Sequence, residues 1–238
     1  MKGHAMSKSP IIVAIDGPAG AGKSSVTKAV AERLDFSLVD TGAIYRCAAL
    51  ASARKGIAAD DDAALAALLG EIRISFRMEG GKNRVFIDGE DVSEAIRTPE
   101  NSRRTSVVSA CPAVRQGLLG LQRQLARSSE KGAILEGRDI GTVVFPDADV
   151  KLFITASDEA RAQRRFLELS AKGVATTLEQ VLSDQRARDK ADSTRETAPL
   201  KAADDALVLD TTALSLEEVV DRVAAAIEAK RGALSREG

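Results

Sequence analysis

Short apolar runs separated by stretches of helical period set the rhythm of this chain. Residues 11–15 are all apolar and end at Asp16 and a glycine-rich turn, as in a strand buried on both faces of a parallel sheet. The period becomes helical from Lys23 to Leu34, reverts to a short strand at 36–39, and is helical again over 43–55. Asp60 is placed to N-cap a short helix that runs to Leu69. Residues 72–92 change character: Ile72-Arg-Ile-Ser-Phe alternates, Gly80-Gly-Lys-Asn has turn composition, and Arg84-Val-Phe-Ile-Asp-Gly resumes a strand. This predicts a small antiparallel insert. Helices follow over 99–127, with a break near Cys111-Pro112. Apolar strands return at 133–135, 150–154 and 207–209; Ser157 opens an arginine-rich helix. Thr177-Leu-Glu-Gln180 and Ser215-Leu-Glu-Glu218 have the spacing of capping boxes. Strands alternating with helices at both ends predict an α/β fold, a parallel sheet interrupted by a middle insertion.

Composition changes this picture little. Of 238 residues, 44% are hydrophobic and 29% charged, the balance of an ordinary globular chain. A net charge of −1 and an aromatic content of 3%, with no Trp, argue against nucleic acid as a partner. Cys47 and Cys111 lack CxxC spacing, so two buried thiols are expected rather than a zinc or disulfide framework. The apolar runs are too short to span a bilayer, and residues 1–9 carry no signal-peptide core, so a cytoplasmic protein without membrane attachment is expected. Residues 1–9 read as a disordered leader or an expression remnant. The only histidine, His4, falls there and is given no catalytic role.

The strongest chemical signal is Gly17-Pro18-Ala19-Gly20-Ala21-Gly22-Lys23-Ser24, which fits GxxxxGK[ST] and lies between a strand and a helix, as that pattern requires. Glycines let successive backbone N–H groups converge on phosphate oxygens, and the helix adds its positive N-terminal end. Lys23 can follow the β- and γ-phosphates, and the Ser24 hydroxyl can ligate Mg²⁺. Residues 17–25, ending at Ser25, are therefore the candidate ATP site. The same loop serves switches, motors and kinases, so the reaction must be read elsewhere.

A kinase for a phosphorylated acceptor needs cations beyond that loop, and the planar fork of arginine suits phosphate. Arg46 follows a strand-to-helix turn in Asp40-Thr-Gly-Ala-Ile-Tyr-Arg46, and Arg138 follows a strand in Glu136-Gly-Arg-Asp-Ile-Gly-Thr142. Both stand where open α/β sheets bind ligands. Arg161, Arg164, Arg165, Arg186, Arg188 and Arg195 form a third group, for which a solvated charged face is the default reading.

Three segments carry a more specific message. Asp40 to Arg46, Gly137-Arg-Asp-Ile-Gly-Thr-Val-Val-Phe-Pro-Asp147 and Arg188-Asp-x-x-Asp192-x-x-Arg195 resemble, in order and spacing, the bacterial cytidylate kinase family. The resemblance runs from Ile11 to the C-terminal helix. It implies the nucleoside-monophosphate-kinase fold: a P-loop core at 10–45 and 129–238, a lid at about 158–172, and a monophosphate-binding region at 46–128 with its small-sheet insert. It implies ATP with Mg²⁺ as donor, CMP or dCMP as acceptor, and a monomer acting on small molecules. Thr41 and Arg46 would hold the acceptor phosphate, with Arg138 and Arg188 also serving the CMP site; Ser106, Arg115 and Asp139 would face its cytosine, and Asp192 its sugar hydroxyls. Lys23, Arg164, Arg188 and Asp139 would be the catalytic set. The residues leave alternatives: an ion pair for Asp139, a helix cap for Ser106, a surface charge for Arg115, packing for Tyr45, a structural ion pair for Arg195. Glu136 stands either near Mg²⁺ through water or in a structural hydrogen bond. A UMP or AMP acceptor, or an ATPase switch, are the rival functions.

Overall fold

The computed structural model describes residues 10–79, 82–234 and 236. The expected leader with His4, and Gly80 and Gly81 at the expected turn, lie outside the described residues.

Strand β1 (Ile11–Asp16) is central and buried along nearly its whole length. It runs parallel to β6 (Gly132–Gly137) on one side and β7 (Val150–Thr155) on the other. β2 (Ser37–Asp40) and β8 (Leu207–Asp210) complete a parallel sheet in the order β2-β6-β1-β7-β8. Continuous apolar sequence suits such a sheet because helices cover both faces. On one face, α1 (Lys23–Leu34) and α8 (Leu216–Leu234) bury Val26, Val30, Val223 and Ile227 against Val13, Ile15 and Ile154. α8 opens with a complete capping box: Ser215 Oγ accepts from Glu218 N–H, and the Glu218 carboxylate accepts from Ser215 N–H. At Thr177 only half the box forms, its Oγ accepting from Gln180 N–H while the Gln180 amide donates to Asp184.

The middle of the chain builds its own core. α2 (Thr41–Arg54), α3 (Asp62–Glu71), α4 (Pro99–Val108) and α5 (Pro112–Arg127) surround a second sheet of β3 (Ile74–Glu79), β4 (Lys82–Ile87) and β5 (Glu90–Asp91), which is antiparallel as expected. Ile44, Leu65, Leu68, Val85, Ile87, Ile96 and Val114 are among its buried residues. Asp61, not Asp60, caps α3, its carboxylate accepting from Ala64 N–H; with three consecutive acids the pattern cannot say which one reaches the orphan amides. α6 (Asp158–Ala171) and α7 (Leu178–Thr194) lie in sequence between β7 and β8 of the parallel sheet. No helix among the described residues is long and apolar enough to cross a membrane.

Candidate active site

The site forms where the C-terminal ends of β1, β2 and β6 meet. Gly17 leaves β1 at φ 147°, and a β-carbon there would lie 1.9 Å from the Ile154 carbonyl oxygen, so only glycine lets the loop pass over β7. Gly22 caps α1 at φ 87°. Between them the Lys23 ammonium, buried to 7% exposure, donates to the carbonyls of Gly17 and Pro18, both at 2.7 Å. An ammonium has three protons, so one donor remains for a phosphate. Burial pushes the Lys23 pKa down, and Arg138 adds to this; Glu136 and Asp16 oppose it.

Ser24 donates to the Glu136 carboxylate at 2.9 Å. Glu136, on β6, is buried, and desolvation together with Asp40 raises it to about 7. Asp16 is likewise raised by burial, to about 6. Its two oxygens accept from the N–H groups of Ile140 and Gly141 at 2.8 Å each, tying a π-helical turn at Ile140–Val144 to the end of β1. That turn holds the Arg138–Asp139 segment over the sheet.

Beside this loop Arg46, Arg138 and Arg188 lie within one another's electrostatic field. Arg188 is pushed down to about 10, first by burial, then by Arg138, with Arg46 contributing; Asp192 and Asp189 only partly offset this. Lys23 also lies in the field of Arg138 and Arg188. The Arg188 Nε is buried and has no hydrogen-bond partner. Burial lowers Arg46 as well; its Nη1 donates to Ile96 O at 3.1 Å and Ser102 Oγ at 2.7 Å. A cluster of like charges held out of water is costly, and an anion relieves it.

A second constellation adjoins it. Arg115 pairs with Asp139 in a buried charge-assisted bond and donates to Ser109 O at 2.9 Å. Arg195 reaches Asp139 at 3.6 Å and Asp192 at 3.8 Å, and Arg138 donates to Asp192 at 2.9 Å. The chain Arg115–Asp139–Arg195–Asp192–Arg138 thus joins α5, the turn after β6 and the end of α7. Ser106 lies on α4, half-buried, its hydroxyl donating to Ser102 O at 3.4 Å.

Other groups of the expected set are engaged by the protein itself. The Thr41 hydroxyl is buried and donates to Glu136 O at 2.7 Å. Arg164 donates to the hydroxyl and carbonyl of Thr211, near Gly22 and Ser25, where a cavity of about 170 Å³ is lined by Ala21, Val26, Leu214 and Val219. Arg161, one of the arginines for which a solvated face was the default, is buried to 4%. It donates to Ala19 O, Ala156 O, Asp158 and Asp189, binding the phosphate loop to α6 and α7. Arg165 and Arg186 of that group lie toward solvent, as the default reading had it, and pair there with Glu168 and Asp158. The i, i+3 spacing of Asp158 and Arg161 was a visible hint; the Ala19 carbonyl, 142 residues away, was not.

The cytidylate kinase family model matches residues 13–229. Among curated relatives, a cytidylate kinase of Geobacter sulfurreducens is 56% identical over 213 residues, covering 90% of this chain and 91% of its own. One of Geobacter sp. strain M21 is 54% identical with 89% and 90% covered, and one of Syntrophotalea carbinolica is 51% identical with 90% of each covered. A phosphate loop, a buried field of arginines and agreement over nearly the full chain lead to one statement: this chain belongs to the cytidylate kinase family.

Proposed function

We propose that this chain transfers the terminal phosphoryl group of ATP to CMP, and to dCMP, by in-line displacement. The observation that carries this reading is the convergence of Lys23, Arg46, Arg138 and Arg188 on one buried field, with the Arg188 Nε lacking a protein partner. Two phosphorylated nucleotides repel each other, and a fixed cationic field both gathers them and stabilises charge on the transferring group.

In this reading residues 17–25 hold the ATP phosphates, and Lys23 bridges toward the γ-phosphoryl. The cavity beside Ala21 and Val26 receives the donor's base. The acceptor phosphate lies among Arg46, Arg138 and Arg188. Thr41, whose hydroxyl is engaged by Glu136, offers its backbone N–H in the first turn of α2. Arg115, Asp139 and Ser106 face cytosine, and Asp192 the sugar. The acceptor oxygen is already anionic at neutral pH, so no strong general base is needed. Arg164 exchanges Thr211 for the transferring phosphate as the lid (about 158–172) closes and excludes water. The core is 10–45 and 129–238, whose strands make the parallel sheet, and 46–128 is the acceptor region around the small sheet.

The Ser24 hydroxyl and the Glu136 carboxylate are hard oxygen donors 2.9 Å apart, a pair suited to Mg²⁺, with Ser24 as the direct ligand and Glu136 acting through water. When bound, the ion neutralises phosphate charge. The reading includes action as a monomer on small molecules in the cytoplasm, and the net charge of −1 is in keeping with no nucleic-acid partner.

Steady-state rates with MgATP and a panel of nucleoside monophosphates test the reading. CMP is expected to exceed UMP and AMP in kcat/KM. UMP or AMP outrunning CMP would refute the base assignment, and ATP turnover indifferent to any acceptor would indicate a switch.

A further inference from the structure

Tyr45 is the only tyrosine in the chain. It is buried where α2 passes α5. The Arg115 guanidinium stands over its ring, 5.2 Å from the centroid. Two turns further along the same face of α5 lies the fully buried Gln122, whose side-chain amide donates to Leu118 O at 3.3 Å. Arg115 is thereby fixed on three sides: one nitrogen on Ser109 O, another on Asp139, and its guanidinium carbon over the ring. Two edge bonds alone leave a guanidinium free to tilt about the line joining them; an aromatic face removes that freedom and adds cation–π attraction. Arg46 is the next residue of α2, and it points instead to Ile96 and Ser102. Adjacent residues of one helical turn thus serve the two ends of the proposed acceptor.

Building on the acceptor reading above, we propose that Tyr45 is a positioning residue for base selectivity, its ring rather than its hydroxyl holding Arg115 in register with Asp139. Tilting Arg115 misplaces the donor that meets cytosine and loosens the carboxylate that accepts from its amino group. The donor site, built on other elements, is untouched. A site that matches one pattern of donors and acceptors discriminates strongly only while those groups stay in place.

The test measures calorimetric Kd for CMP and ATP, and the CMP-to-UMP ratio of kcat/KM, in wild type, Tyr45→Phe and Tyr45→Leu. Each is repeated in an Arg115→Met background. Tyr45→Phe is expected to keep the ratio within about twofold, whereas Tyr45→Leu weakens CMP about tenfold and lowers the ratio, with ATP affinity unchanged. In the Arg115→Met background, adding Tyr45→Leu should weaken CMP no further, because the effect runs through Arg115. If Tyr45→Leu does not fold, Tyr45→Met fills the space without a ring and serves in its place. The inference is overturned if Tyr45→Phe loses as much as Tyr45→Leu, if CMP and ATP weaken together, or if the loss persists undiminished without Arg115. A wild-type preference for CMP that survives ring removal sinks this inference alone. A wild type with no CMP preference sinks the functional reading and this inference with it.

Discussion

Replacing Arg188 by Met should make the protein more stable while disabling it. Holding the Arg188 guanidinium from its ordinary value down to about 10 corresponds to about 3 kcal/mol of unfavourable interaction in the folded state. The sign follows from the direction. A base with a lowered folded pKa resists its charged form, so the cost is fully present at neutral pH and disappears only above the pKa of the unfolded chain. Relaxation and salt screening reduce this, leaving an expected gain of about 1–2 kcal/mol. Met keeps most of the aliphatic stem, and the acids near Arg188 stay paired, Asp189 with Arg161 and Asp192 with Arg138. For a chain of this size that gain raises Tm by about 3–6 °C. Scanning calorimetry at low salt measures it, and the same preparation should have lost at least about 100-fold in CMP-dependent transfer. Inorganic phosphate should raise the wild-type Tm more than the variant's, since the anion relieves the same repulsion. A variant that melts below wild type would refute the idea that the cluster is electrostatically strained.

Lys23→Met should leave the circular dichroism spectrum intact and cut phosphoryl transfer by at least about 1,000-fold, because the buried cation proposed to meet the transferring group is gone. Asp139→Asn should lower kcat/KM for CMP by about 100-fold or more with ATP affinity within about twofold, read by calorimetry; an equal loss for ATP would mean the carboxylate has another job. Gly17→Ala, which drives a β-carbon onto Ile154 O, should destabilise by more than about 4 kcal/mol and give a protein that denaturant titration finds largely unfolded.

Local pattern carried much of this architecture. The helix over Lys23–Leu34 and the insert near 72–92 follow from period and turn composition, which depend on near neighbours. The break at Cys111-Pro112 follows likewise, because proline starts a helix more readily than it continues one. Boundaries slipped by a residue or two where caps compete, as at Asp60 and Asp61, or where a strand runs one residue further, as at Asp40. What pattern could not supply was the pairing of distant polar groups. Asp16 accepts from amides 124 and 125 residues away, and Arg161 looks solvated until Ala19 and Asp189 are brought to it. The Thr41 hydroxyl donates to a carbonyl 95 residues away, a partner that no local pattern names. Charge and spacing state what a side chain can do; only the assembled sheet decides whom it meets.

The strand order has a consequence for how this chain comes into being. β1 carries the phosphate loop at its end, yet both of its neighbours begin only at residues 132 and 150. While the nascent chain leaves the ribosome, the motif is present early and without shape, because the strand that should anchor it has nothing to pair with until more than half the polypeptide has emerged. A translation product truncated before Gly132 would carry the whole signature Gly17 to Ser24 and hold no nucleotide.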